Sequence, residues 1–147
     1  MPAFITLGRV LFAAFFIYAG IAKLLDIPVT IEFMTSKVAI PDLLMPYALQ
    51  LQGLTGMAPP KMLVIAAAAF ELLCGLMIAL NFGARFAAIL LIFFLAATIY
   101  YFHDFWNPAS PPRTVFDALK GLSMIGALFM IAGYGRTSRT ADPAYDV

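Results

Sequence analysis

Four apolar stretches, each close to the length needed to cross a membrane, dominate this sequence. They cover residues 4–22, 62–80, 86–102 and 115–133. A helix needs about 20 mostly apolar residues to cross a bilayer, and its backbone polar groups then bond within the helix itself. The third stretch contains no charged residue, and each of the others contains one or two. The sequence therefore predicts an all-α integral membrane protein built as a four-helix bundle.

Composition supports this fold class and excludes several others. The chain is 63% hydrophobic and 12% charged, whereas soluble domains are roughly 45–50% apolar and about 25% charged. A soluble domain of 147 residues exposes too much surface to hide that apolar content. A net charge of +1 gives no field that would attract nucleic acid. We expect a single transmembrane domain over residues 1–147 that contacts the lipid bilayer and binds no nucleic acid.

Cysteine and histidine occur once each, as Cys74 and His103. One cysteine cannot form an intramolecular disulfide or a CxxC redox pair. One histidine cannot ligate a haem from both sides, and no cluster has the spacing of a zinc site. We therefore expect no metal site and no intrinsic cofactor, and we expect Cys74 to pack as a small hydrophobic residue.

The segment between the first two apolar stretches, about residues 23–61, is too long for an ordinary loop. Residues 29–40 can form a short helix that ends before Pro41. Apolar residues then recur at i, i+3, i+4 and i+7, as in an amphipathic helix, at Leu44, Tyr47, Ala48 and Leu51. The sequence predicts short interfacial helices here, either as a surface cap over the bundle or as a lid over a site. A polar tail, 134–147, ends the chain.

The four spans predict that both termini lie on the same side of the membrane. The positive-inside rule does not decide which side, because four basic residues near one side balance four near the other. The two sets are Arg9, Arg85, Arg136 and Arg139 against Lys23, Lys37, Lys61 and Arg113. We expect the termini on the cytoplasmic side.

Glu71 is the most deeply placed charge in the four stretches. It lies about 14 Å from either end of its helix at 1.5 Å per residue, too far for its side chain to reach water. The same helical face carries small residues, which let another helix approach closely, at Ala67, Ala68, Cys74 and Gly75. Since ionisable groups are costly in lipid, Glu71 is expected to face the bundle interior.

Three basic residues are candidates to lie near Glu71. Arg9 is about 7.5 Å deep from the terminus side, and Lys120 is about as deep from the other side. Their axial gaps to Glu71 are then about 6 Å and about 9 Å. Lys23 follows Arg9 by fourteen residues, which places both on nearly the same face of the first helix.

Two interpretations of these charges remain open. In the first, a buried Arg9–Glu71 ion pair fixes the helix arrangement, and Asp117 and Lys120 form a local i,i+3 pair. In the second, Glu71, Arg9 and Lys120 line a polar pocket for a head group, a quinone ring or protons. His103 is either an interfacial polar residue or a proton carrier at the pocket mouth, since histidine normally titrates near neutral pH.

Several motifs follow one another in a recognisable order. They are GRVLFAAFFIYAGIAKLLD in the first helix, FELLCGLMIALNFGARFAAILLIFFL across the second and third, FHDFW at the third-helix exit and DALKGLSMIGALFMIAG in the fourth. Together they cover almost the whole chain, and their order and spacing resemble those of DoxX-like membrane proteins. On this resemblance, five residues fall on motif positions, namely Arg9, Lys23, Glu71, His103 and Lys120.

The resemblance implies a four-helix protein of the bacterial inner membrane. The family is named after proteins associated with quinol oxidase and thiosulfate:quinone oxidoreductase complexes. The leading hypothesis is therefore an accessory subunit of a quinone-linked redox complex, with a polar site around Glu71 and quinone as its candidate ligand. Other membrane or redox subunits, or a second copy of the chain, would be its partners.

Two alternatives to this hypothesis come from other functional classes. One is a non-enzymatic scaffold or assembly factor, because related families include proteins of that kind. The other is a carrier of lipids or small solutes with the interfacial segment as its gate. The residues leave open whether the protein is an enzyme.

Overall fold

Six α-helices form in the part of the chain that the structure, a computed structural model, describes: residues 2–37, 45–103 and 111–134. They are α1 (Pro2–Leu25), α2 (Ile27–Lys37), α3 (Met45–Thr55), α4 (Pro59–Ala79), α5 (Ala84–Phe102) and α6 (Pro112–Tyr134). The helices α1, α4, α5 and α6 are long and apolar enough to cross a membrane. The prediction of an all-α membrane fold is confirmed, and the protein is a multi-pass membrane protein.

The helix α4 begins three residues before the apolar stretch that predicts it. Pro59 and Pro60 occupy its first two positions, where a missing N–H costs nothing and the fixed φ of proline suits the helix. Its other end closes with a residue in the left-handed conformation, Asn81, at φ 57°. The Phe82 N–H donates to the Met77 carbonyl at 3.0 Å, and the Asn81 N–H to Ile78 at 3.2 Å. These two bonds satisfy the last carbonyls and turn the chain into α5.

The long helices pack mainly in two pairs, α1 along α4 and α5 along α6, and α4 and α5 join the pairs. A buried apolar core lies between them, and its members include Ala13, Phe16, Cys74, Ile78, Leu91 and Leu128. Large apolar side chains remain exposed on the outer faces of all four helices. Such a surface is suited to lipid, because no water-soluble domain of this size would leave so many exposed.

Close backbone approach sets the register between the antiparallel helices α1 and α4. A Cβ atom added at Gly20 would lie 2.7 Å from the Ala68 carbonyl oxygen, and one at Gly75 would lie 3.0 Å from Ile17 Cγ1. At Gly20 the backbone of α4 leaves no room for a Cβ, and at Gly75 the neighbouring helix would have to move by a few tenths of an ångström. Gly20 therefore lies level with the turn around Ala68, and Gly75 lies level with the turn around Ile17. This register decides which basic residue can reach Glu71.

The two short helices α2 and α3 confirm the prediction of short helices between the first two spans. Asp26 precedes α2 as its N-terminal capping residue, since its Oδ1 accepts the Val29 N–H at 3.5 Å. The helix α2 packs against α4, and the Phe33 ring stacks on Phe102 of α5 with centroids 5.3 Å apart. It starts two residues before the predicted 29–40, and residues 38–44 lie outside the described part of the chain.

The two ends of the bundle carry different elements. At the first end, called here the N-terminal end, the start of α1, the α4–α5 turn and the last turns of α6 come together. There Arg85 Nε donates to the Ala132 carbonyl oxygen at 2.7 Å. The opposite end, the α2 end, has Lys23, α2 and His103. Of the predicted tail, residues 134–147, the structure describes Tyr134, and the rest lies outside the described residues.

Candidate functional site

An ion pair joins α1 to α4 inside the bundle. Lys23 Nζ donates to Glu71 Oε2. The Glu71 side chain is 7% exposed and that of Lys23 is 29% exposed. The carboxylate is thus enclosed by protein, while the ammonium keeps partial access to the α2 end. The prediction that Glu71 faces the interior is confirmed.

The direction of the side chains explains why these two residues meet. Side chains on a helix lean towards its N-terminus. Lys23, in the last turn of α1, leans back towards the middle of the bundle, and Glu71 leans towards the start of α4. Because the helices are antiparallel, the two side chains lean towards each other. The Gly20 contact with Ala68 holds the two backbones close enough for the pair to form.

The face of α4 around Glu71 is closed by small side chains. Ala68, Cys74 and Gly75 are buried there, at the spacings that the sequence indicated. Cys74 is a free thiol and packs as a small hydrophobic residue. This face leaves no room for a ring between α1 and α4, because Gly20 and Gly75 already contact the opposite helix.

The structure corrects the expected Arg9–Glu71 pair, since Glu71 has Lys23 as its partner. The register places Arg9 one turn beyond Ala13, level with the end of α4, about 15 Å from Glu71 along the axis at 1.5 Å per residue. Its side chain also leans towards the N-terminal end, away from Glu71. The sequence-based depths were measured from the ends of the apolar stretches, and those ends do not give the register.

Arg9 instead lines a separate cavity of about 510 Å³ at the N-terminal end. The walls come from α1, the α4–α5 turn, the start of α5 and the last turns of α6. They are Phe4, Ile5, Gly8, Arg9, Phe12, Asn81, Ala84, Ala127, Met130 and Ile131. Arg9 Nε is buried there and has no hydrogen-bond partner among the described residues. Sequence reasoning missed this cavity, in which Asn81 of the α4–α5 turn lines one wall.

Lys120 lies apart from both sites. It pairs with Asp117 at 3.1 Å, and its side chain is 61% exposed. Its Nζ lies 4.9 Å from the centroid of the Phe116 ring. The expected local i,i+3 pair is confirmed, and Lys120 is not brought to Glu71.

His103 ends α5 at the α2 end of the bundle. It is half-buried, and its backbone N–H donates to the Ile99 carbonyl at 3.1 Å. The neighbouring Asp104 lies outside the described residues, so the predicted proton role of His103 stays a prediction. Across the three described ranges, no group of three or more His, Cys, Asp or Glu side chains is placed to hold a metal ion.

A comparison with protein families finds a match. The family model of DoxX matches residues 4–104, a range that includes α1 to α5 and both partners of the Lys23–Glu71 pair. No match to a curated protein or to a solved structure accompanies it. The match covers more than half of the chain and agrees with the resemblance of its motifs. The chain belongs to the DoxX family.

Proposed function

We propose that the protein is an accessory subunit of a quinone-linked redox complex in a bacterial inner membrane, with both termini in the cytoplasm. The observation that carries the proposal is the Lys23–Glu71 pair, whose carboxylate is enclosed by protein. A charge pair between two helices fixes their arrangement, which is what a subunit that supports others requires. In this proposal the partner subunits supply the electron carriers.

The residues around Glu71 do not fit a bound quinone. Its carboxylate is occupied by Lys23, a Cβ at Gly20 would already collide with the opposite helix, and a Cβ at Gly75 would be in tight contact with it. A quinone ring between α1 and α4 would have to separate these helices. The proposal therefore assigns quinone to the partner subunits and gives Glu71 a structural role.

The outer face of α6 offers a surface for a partner helix. Gly126 and Gly133 lie seven residues apart, on one face, and nothing lies within 4 Å of a Cβ added at either. Leu122 and Phe129 are exposed beside them, at 59% and 61%. Small residues between apolar ones let membrane helices approach closely. This surface, residues 122–133, supports contact with another subunit or with a second copy of the chain.

The proposal is tested in membranes of the source organism. We expect deletion of the gene to lower quinol-dependent electron transfer, and expression of the wild-type chain to restore it. Gly126→Leu fills the open space on α6 and is expected to fail to restore it. Ala97→Leu, which adds three carbons where Gly126→Leu adds four, lies on an exposed position of α5; it is the matched control and is expected to restore it. Unchanged electron transfer in the deletion strain would contradict the proposal.

A scaffold or assembly factor is a second candidate, and the Lys23–Glu71 ion pair favours it equally. Purification distinguishes the two. An accessory subunit co-purifies with the mature complex in fixed proportion, measured by mass spectrometry against its haem or flavin absorbance. An assembly factor is absent from the mature complex, although its deletion lowers the amount of that complex in the membrane.

A further inference from the structure

The cavity at the N-terminal end combines one cation with apolar walls. Arg9 enters it from α1 and Asn81 from the α4–α5 turn, and the other lining side chains are apolar or glycine. Phe4 and Met130, which stand at its sides, are 80% and 61% exposed. The cavity therefore opens towards the lipid-facing surface of the bundle.

Among the described residues that line this cavity, none offers Arg9 a counter-charge. Arginine stays protonated in proteins, and a buried charge is stable only when it is paired and hydrogen-bonded. Arg9 as a whole is half-buried, but its Nε is buried and has no hydrogen-bond partner in the described part of the chain, where no lining residue is acidic. Glu71, the acidic residue buried between α1 and α4, is occupied by Lys23. An occupant with an anionic group would satisfy the guanidinium.

The position of the cavity indicates that this anion belongs to a lipid. Arg9 lies about 10 Å from the start of α1 at 1.5 Å per residue, and its side chain leans towards the membrane surface. Its guanidinium is thus placed near head-group depth. Ile5, Met130 and Ile131 offer an apolar path for an acyl chain. A volume of about 510 Å³ falls within the range of ligand pockets, about 300–1,000 Å³.

We propose that this cavity is a binding site for one anionic phospholipid, with the phosphate on Arg9 and an acyl chain along α1 and α6. Guanidinium and phosphate match in geometry as well as in charge. Asn81, which the turn holds in the left-handed conformation, lines the same wall and carries the other polar side chain of the described lining. The site is independent of the proposed function, because it needs no partner subunit.

The test measures lipids bound to the purified protein by native mass spectrometry and by thermal unfolding. Delipidated protein in phosphatidylcholine nanodiscs is titrated with phosphatidylglycerol. We expect a preference for phosphatidylglycerol and a rise in Tm with its mole fraction. Arg9→Gln should lower this affinity at least about tenfold, the loss typical of a removed charge-assisted hydrogen bond. Arg9→Lys should retain part of it, since the charge remains.

Two further variants separate a built site from general attraction of anionic lipid. Gly8→Leu fills the cavity and keeps Arg9, and a Cβ at Gly8 meets nothing within 4 Å. We expect it to lose the bound lipid while keeping its helicity. Lys120→Gln removes an exposed cation and should bind as the wild type does. If Arg9→Gln fails to fold, lipid binding by Gly8→Leu is compared with lipid binding by Lys120→Gln. Loss of binding in Gly8→Leu alone supports the site.

Other occupants give different results in the same assay. Equal binding of phosphatidylglycerol and phosphatidylcholine, or equal loss in Lys120→Gln, would overturn the proposal. The proposal would also be overturned if inorganic phosphate, a fatty acid or a quinone analogue raised the Tm as much as phosphatidylglycerol does. Because the protein is pure, these outcomes do not depend on whether it belongs to a redox complex.

Discussion

Lys23, in the last turn of α1, forms an ion pair with Glu71 near the middle of α4. The two partners differ in exposure, since the Glu71 side chain is 7% exposed and that of Lys23 is 29% exposed. Removing one partner therefore does not have the same effect as removing the other. A buried carboxylate that loses its cation has no route to water, whereas the ammonium can turn towards the α2 end.

Lys23→Met is expected to destabilise the protein more than Glu71→Gln does. Lys23→Met leaves a buried carboxylate unpaired, and breaking a buried pair in this way costs about 3–5 kcal/mol. Glu71→Gln leaves a lysine that can rehydrate, and we expect a loss of about 1–3 kcal/mol. The measurement is the free energy of unfolding in detergent micelles, by denaturant titration with circular dichroism.

The double variant Lys23→Met/Glu71→Gln provides the control for direct pairing. It should be more stable than the sum of the two single losses indicates, with a coupling energy of about 0.5–3 kcal/mol. Arg9→Gln combined with Glu71→Gln should show no coupling. Coupling of Glu71 to Arg9 instead of Lys23 would contradict the pairing in the structure.

Replacing a glycine of the long helices with alanine should lower the stability of the protein at Gly20 and raise it at Gly126. Gly20→Ala places a Cβ 2.7 Å from a backbone oxygen of α4, and forcing the helices apart costs about 1–3 kcal/mol. Gly126→Ala meets nothing within 4 Å, so we expect a gain of up to about 1 kcal/mol from helix propensity. Thermal unfolding of both variants under identical conditions measures the difference. A stabilised Gly20→Ala would mean that α1 and α4 are not in close contact there.

The long helices could be predicted from the sequence because hydropathy alone marks a span. Residues 86–102, within α5, contain no charge, and residues 62–80, mostly within α4, contain one. This is enough to separate these segments from the loops. The short helices followed from periodicity and proline positions. The exact ends of the helices could not be predicted in this way. Pro59 and Pro60 extend α4 beyond its apolar run, because the fixed φ of proline suits the first turn of a helix.

The charge partner of Glu71 could not be read from depth alone. Depth estimates favoured Arg9, but the register depends on where Gly20 and Gly75 contact the opposite helix. Side-chain direction then favours Lys23, which lies on the same face of α1. The cavity at Arg9 was not predictable for a different reason. It forms where α1, α6 and the α4–α5 turn meet, and such a three-element junction has no local sequence pattern.

The turn between α4 and α5 should tolerate glycine and reject a branched residue at position 81. Asn81 has φ 57°, a conformation that costs an ordinary side chain about 1–2 kcal/mol. We expect Asn81→Gly to keep the stability of the wild type and Asn81→Val to lose at least about that amount. Unfolding in detergent measures both. Equal stability of the two variants would indicate that position 81 does not adopt the left-handed conformation.

The contact between Phe33 and Phe102 should hold α2 against the end of the bundle. The rings stack with centroids 5.3 Å apart and planes 16° apart, and such a pair contributes about 0.5–1.5 kcal/mol beyond its buried area. None of the α2 residues is buried, and α2 also packs against α4, so the ring stack is one of the contacts that anchor the helix. We expect Phe33→Ala to loosen α2 while α4 and α5 remain intact.

Hydrogen exchange by mass spectrometry measures this local opening. In Phe33→Ala, peptides from residues 27–37 should exchange about two- to tenfold faster, which corresponds to the contribution of the ring pair. Peptides from α4 and α5 should be unchanged. Tyr47→Ala, on the neighbouring helix α3 where Tyr47 is 64% exposed, removes an aromatic ring without touching this stack and should leave α2 as it is. If Phe33→Ala accelerated exchange in α4 as well, α2 would be an integral part of the bundle's folding unit, and a lid that opens on its own would be excluded.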